Sequence, residues 1–248
     1  MKTKLLISVL VVLVLVTFTS VTLWAQQGPS RQPAPEKQKQ PPPADAKQVS
    51  QPSPVYKPPQ LGAPGGRVGG GTRGIGGDAL SLVALAPNHV GLTTQVQPTF
   101  YWYLSGTPNF PLIFTLIEYK AVKPLVEKQI KMPIKAGIYS ISLKEYGISL
   151  EPGTTYRWFV SIVPDQDRRA KDLVAGAMIE LTSPSESLNA KVRGSTGRVQ
   201  TAYAFAEEGI WYDALMALSE VIDASPDNLD LQQQRLTLLK QVGIEGVK

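Results

Sequence analysis

The sequence predicts a mainly β body that ends in an α-helical segment. Three observations carry that reading. From Asp78 to about Thr182, short β-type runs are separated by turns rich in Pro and Gly. From Val199 to Val242, apolar residues recur at helical spacing instead. Ahead of both, an apolar N-terminal run and a Pro-rich tract set the body apart from the start of the chain.

Residues 1–25 read as a signal peptide or a signal anchor. Met1-Lys2-Thr3-Lys4 is a short basic start, and Leu5 to Ala25 follows as a largely apolar run of 21 residues. As a helix that run is about 31 Å long, enough to span a bilayer. Cleavage after Ala25 would place Leu23 at −3, where a small residue is usual. Both outcomes therefore stay open. Either one predicts export: a soluble periplasmic protein, or one tethered to the inner membrane through residues 5–25.

Residues 26–77 read as a disordered linker rich in Pro, Gln and Gly. Eleven prolines lie between Gln26 and Pro64, and few large apolar residues interrupt them. Such a segment buries too little surface to offset its ordering entropy. Pro-rich chain favours the extended polyproline conformation, so the tract predicts a semi-rigid spacer, about 120 Å at full reach. Charge divides at the same place. Residues 1–73 carry nine basic and two acidic residues, whereas the remainder carries 16 basic and 18 acidic. The basic character thus belongs to the tail, and the body is not expected to bind nucleic acid. The chain has no cysteine, which excludes disulfides, thiol catalysis and Cys-ligated metal.

Residues 78–185 read as a β-sandwich. Candidate strands are Leu80–Ala84, Thr99–Leu104, Leu112–Tyr119, Leu125–Lys131, Ile138–Leu143, Thr155–Val163 and Ala177–Leu181. Phe100, Trp102 and Leu104 alternate with Tyr101 and Tyr103. Tyr156, Trp158, Val160 and Ile162 alternate with Arg157, Phe159, Ser161 and Val163. Both sets hold apolar residues, so the inward face stays open. Leu150-Glu151-Pro152-Gly153-Thr154-Thr155-Tyr156 looks like the tyrosine corner of immunoglobulin and fibronectin III sandwiches. There Leu150 plugs the core, Pro152 and Gly153 set the turn, and the Tyr156 hydroxyl bonds back to the corner's backbone. Trp102 and Trp158 are the expected core partners.

Residues 198–243 read as a tetratricopeptide-like helical hairpin plus one helix. Ala202, Phe205 and Ala206 mark a first helix, and Ile210, Ala214, Leu218, Val221 and Ile222 a second, with Gly209 between them. Pro226 ends the second helix, and Asp227-Asn228 can cap a third from Leu229 to Gln241. The spacing of Gly209, Ala214, Leu218 and Pro226 resembles the second helix of such a unit. Trp211 and Tyr212 are the candidate contacts for a partner along this hairpin, beside the plainer reading as packing.

Little in the sequence points to a reaction. Gly69-Gly70-Gly71-Thr72-Arg73-Gly74 fits G-x-G-x-x-G, but it neither follows a strand nor opens a helix, as a phosphate loop must. His89 is the sole histidine and reads as a loop residue. No catalytic residue, cofactor or metal site is expected. The densest charged cluster is Pro164 to Asp172. Asp165, Asp167, Arg168, Arg169 and Asp172 form the candidate partner-binding loop, beside the plainer reading as a solvated turn with internal Asp–Arg pairs. The same acids are the only candidates for a hydrolase, an unfavoured alternative.

GGGTRG, LVALAP, LTT before QPTFYWY, LEPGTTYRWFVSIV, the D-x-DR cluster and EEGIWYDAL occur in that order. In this the chain resembles the bacterial domain of unknown function 928 family over roughly Gly69 to Val242. The resemblance implies an exported protein of a kind common in cyanobacteria, with a sandwich-like region and a short helical end, and it brings no activity. A cysteine often found in the family near the position of Val163-Pro164 is absent here. The functional expectation is a non-enzymatic cell-envelope interaction module binding a protein or glycan partner at the end of its spacer. An accessory subunit of a membrane sensor is the alternative if the N-terminus stays anchored.

Overall fold

The computed structural model describes residues 53–59, 65–69, 73–74, 79–131 and 135–247. Residues 1–25 and most of the spacer lie outside these. Among the described residues no helix is long and apolar enough to cross a membrane. The described residues belong to one compact unit.

Among the described residues, ten strands precede four α-helices. The strands are β1 (Arg73–Gly74), β2 (Ala79–Leu80), β3 (Leu82–Ala84), β4 (Gly91–Thr93), β5 (Thr99–Leu104), β6 (Leu112–Glu118), β7 (Val126–Ile130), β8 (Gly137–Ser142), β9 (Thr155–Ile162) and β10 (Leu173–Leu181). The helices are α1 (Glu186–Gly194), α2 (Arg198–Glu207), α3 (Trp211–Ala224) and α4 (Leu229–Lys240). One sheet has the order β3-β5-β8 and is antiparallel throughout. The other has the order β4-β10-β9-β6-β7, antiparallel except for β4, which runs parallel to β10. β1 and β2 form a separate two-stranded ladder.

The two larger sheets meet through aromatic side chains. The Phe100 ring on β5 lies 5.4 Å from Phe114 on β6 and 5.2 Å from Trp158 on β9. This settles the facing question. Phe100, Trp102 and Leu104 point inward, as do Tyr156, Trp158, Val160 and Ile162. Tyr101 and Tyr103 are buried too, although they occupy the other side of β5. Tyr101 lines a cavity with Ser219 and Asp223 of α3 and Arg235 of α4, so helices cover that side. There burial pushes the Tyr101 hydroxyl up to about 12.

At the turn into β9, the Tyr156 hydroxyl accepts from the Glu151 backbone N–H at 3.0 Å. Leu150 is buried, and Gly153 sits at φ +68, where a side chain would be strained. β10 begins four residues earlier than its apolar pattern suggests. Ala175 and Gly176 are small and interrupt the legible pattern, yet Leu173 to Gly176 pairs along β9. A Cβ on Gly176 would lie 2.4 Å from both the Phe159 ring and the Trp158 carbonyl oxygen. The run read as one strand over Leu80–Ala84 divides between β2 and β3, which join different ladders.

The helical end follows its sequence pattern, with one addition. Gly209, at φ +76, separates α2 from α3. Pro226 lies just past α3, and the Asn228 side chain caps α4 by accepting from Asp230 N and Leu231 N. Helix α1 was not foreseen. It buries only Leu188, so it carries no apolar stripe, and the Ser185 cap is its clearest local signal. The β and helical segments, read as separate at 78–185 and 198–243, share one hydrophobic core.

Candidate functional site

Trp211-Tyr212-Asp213 opens α3 and joins it to the sheets. Trp211 Nε1 donates to the Leu85 carbonyl at 2.9 Å. The Tyr212 hydroxyl accepts from Trp158 Nε1 at 2.8 Å and donates to the Met178 carbonyl at 3.0 Å. Asp213 accepts from Thr93 Oγ1 at 2.5 Å, from Thr94 N at 3.0 Å, and also from Thr94 Oγ1. Burial raises the Asp213 carboxyl above its ordinary range, against the pull of these donors. Gly91 leaves room for the joint, because a Cβ there would meet the Tyr212 ring at 2.6 Å. Trp211 and Tyr212 are 0% and 1% exposed. With residues 53–59 in place, neither ring reaches solvent. They hold the helices to the body, and α3 is apolar enough around its girth to be buried on most sides.

On the outer side of this joint lies a groove filled by the chain itself. Residues 53–59, Ser-Pro-Val-Tyr-Lys-Pro-Pro, were read as spacer but lie as an extended strap across the ends of α2 and α4. Pro54 and Tyr56 are buried, while Val55 and Lys57 are exposed, the alternation of an extended chain. The Gln241 side-chain amide holds the strap's backbone from both sides. Its Nε2 donates to the Pro54 carbonyl and its Oε1 accepts from Tyr56 N, both at 2.8 Å. Lys57 N donates to the Ala206 carbonyl at 3.1 Å, and Lys57 Nζ pairs with Glu207 at 2.8 Å.

Aromatic rings fix the tyrosine. Tyr56 meets Trp211 edge-on at 5.0 Å and lies parallel to the His89 ring at 5.9 Å. His89 Nδ1 is 2.9 Å from the Val90 carbonyl oxygen, which can only accept, so Nδ1 carries the proton. In the tautomer with Nδ1 protonated, Nε2 accepts from the Tyr56 hydroxyl at 3.2 Å. Burial pushes that hydroxyl above the usual phenol range. Gly209 completes the floor: a Cβ there would lie 2.8 Å from the Lys57 carbonyl oxygen. A cavity of about 300 Å³ remains beside the strap, lined by Tyr56, Pro58, Pro87, His89, Gln241 and Val242 among others.

A second stretch of the expected spacer also packs on the body. Arg67 donates to the carbonyls of Ala86, Val242 and Gly243. Val68 and Gly176 exchange backbone hydrogen bonds at 2.8 Å, placing this stretch beside β10. A Cβ on Gly69 would fall 2.1 Å from the Val174 carbonyl oxygen. The first glycine of the G-x-G-x-x-G pattern is thus an edge contact on a strand, in no position to cradle a phosphate.

The charged loop is self-contained. Asp165 Oδ2 pairs with Arg168 at 2.5 Å, and Asp172 Oδ2 with Arg169 at 2.6 Å. Asp165 Oδ1 accepts from Asp167 N at 3.1 Å. The Arg168 guanidinium holds the Asp165 carboxyl below its ordinary range. Among the described residues, no group of three His, Cys, Asp or Glu side chains is placed to hold a metal ion.

Sequence reasoning missed Tyr56, Asp213 and Gln241, and it gave His89 no partner. The strap's contacts span up to 187 residues, beyond any local pattern. The one available signal was Tyr56 itself, a large aromatic inside a proline tract.

The family described as Domain of Unknown Function (DUF928) matches residues 68–248. The chain belongs to this family. The match begins at Val68, so the groove's walls at His89, Ala206, Gly209 and Gln241 lie inside the DUF928 span and the strap lies outside it. No curated protein matches the chain.

Proposed function

We propose that this DUF928 protein is a non-enzymatic cell-envelope interaction module. It is exported by its basic and apolar head, and its helical end binds a protein or glycan partner. The observation that carries this reading is the strap: an extended proline-rich segment seated on the helices by backbone, aromatic and charged contacts. A surface that holds one such segment has the parts a peptide-binding module uses.

The body is read further as an immunoglobulin-like sandwich. A three-stranded sheet facing a five-stranded one, a first edge strand parallel to the last, and the Tyr156 corner support this. The α2–α3 hairpin about Gly209 supports the tetratricopeptide-like reading. In both architectures, loops and hairpin surfaces commonly carry recognition.

Fractionation of cells, with intact mass of the native chain, tests the compartment. Recovery from the envelope or periplasm is expected, either cut near Ala25 or intact and membrane-bound. Recovery of an uncut chain from the cytosol would overturn the reading. Crosslinking in envelope preparations tests the module, with a partner expected at the helical end.

A further inference from the structure

We infer that the groove beneath residues 53–59 is a binding site for a tyrosine-bearing, proline-rich segment of a partner protein, with the chain's own strap as its resident stand-in. The inference rests on the interaction-module reading and names the partner's chemistry.

The strap shows what the groove selects. Gln241 meets a carbonyl and the amide two residues later, as a neighbouring strand would, so it reads extended backbone whatever the side chains. Selectivity comes from the alternate positions. Tyr56 fills a slot between Trp211 and His89, with its hydroxyl on His89 Nε2. Pro54, two residues earlier, is buried; a proline fits there because the groove asks that position for a carbonyl and for no amide hydrogen. Glu207 favours a basic residue just after the tyrosine. Pro59 lies over Gly209, close enough that a Cβ on the glycine would meet its ring at 3.2 Å. The matching segment is therefore Pro-x-Tyr, then a basic residue, then any residue and a proline. Proline also keeps the free segment extended and so lowers the entropy lost on docking.

The strap lies at the surface, with Val55 and Lys57 facing solvent. Short surface segments of this kind open at far lower cost than the whole fold. While docked, the strap competes with any partner, and apparent affinity falls by the fraction of time the groove is empty. Releasing the strap is thus the step that makes the groove available.

The test uses the full chain and a fluorescein-labelled synthetic peptide of residues 51–59. Tyr56→Ala in the chain frees the groove. This variant is expected to bind the peptide saturably in anisotropy titrations, at least about 10-fold more tightly than the native chain. A peptide with alanine for its tyrosine is expected not to bind, and Gln241→Ala added to the released chain is expected to weaken binding about 10-fold or more. If Tyr56→Ala lowers Tm markedly, Lys57→Glu loosens the strap without removing a buried group.

The native chain gives an independent reading. Millimolar peptide should speed deuterium exchange at the Tyr56 and Lys57 amides by displacing the strap. A folded, released chain that ignores the peptide, or binding that is indifferent to Gln241→Ala, overturns the inference. Crosslinking to an envelope partner that survives Gln241→Ala would leave the module and remove this site.

Discussion

The strap at 53–59 and the charged loop at 164–172 are both short segments without the apolar periodicity of a helix or strand. They solve the same problem in opposite ways. The loop pairs Asp165 with Arg168 and Asp172 with Arg169, three residues apart in each case, so these four charges are met locally. The strap cannot do this. Its prolines leave few amide donors, an extended chain makes no bonds to itself, and Tyr56 has apolar area to hide. Its side-chain ties to Glu207 and Gln241 span 150 to 187 residues. A segment that satisfies itself can remain a surface loop, whereas one that cannot gains by docking elsewhere.

Four measurements would break or sharpen this contrast. Gly209→Val should have the largest effect. It forces a β-branched residue to φ +76 and drives a Cβ against the Lys57 carbonyl. A loss of about 2–3 kcal/mol is expected, lowering Tm by roughly 5–10 °C in calorimetry. Chymotrypsin should then cut after Tyr56, a bond the docked strap protects.

Gln241→Ala strands Tyr56 N and the Pro54 carbonyl. It should cost about 1–2 kcal/mol of strap docking, seen as roughly 5- to 30-fold faster hydrogen exchange at the Tyr56 amide. An unchanged rate would mean that the strap is held by its rings alone.

Acid separates the two regions. Lys57 and Lys191 lower the Glu207 carboxyl, and Arg168 lowers Asp165. A carboxylate whose folded-state pKa is depressed contributes stability above its unfolded value and loses it as pH falls through the folded one. Both ion pairs should therefore weaken over roughly pH 5 to 2. The strap keeps its amide clamp and buried ring, and the loop keeps neither. Protection factors should fall at the Asp167 amide and persist at Tyr56. Asp165→Ala should do least, shifting Tm by no more than about 1 °C, because an exposed pair contributes little.

Much of the fold was legible where one face of an element is apolar. β5 and β9 follow a period of two, α3 follows the helical period, and Gly209, Pro226 and Asn228 act locally at helix ends. Elements that depend on a distant neighbour were not legible. β4 is three residues long and exists by lying along β10, and the early part of β10 includes Gly176 packed under the Phe159 ring. The site was the least legible part. Trp211 and Tyr212 stood out as aromatics, but only the sheets beside them show that they are buried joints.

What the sequence determined by itself is whatever short-range chemistry controls: the strand and helix periods, the breaks at Gly209 and Pro226, the corner at Tyr156, and the division between a basic Pro-rich tail and a nearly neutral body. What only the tertiary structure decided is which aromatics face inward, how Asp213 locks α3 to Thr93 and Thr94, and where Tyr56 goes. These depend on donors, acceptors and apolar surface brought together from separate parts of the chain, and folding alone supplies that proximity.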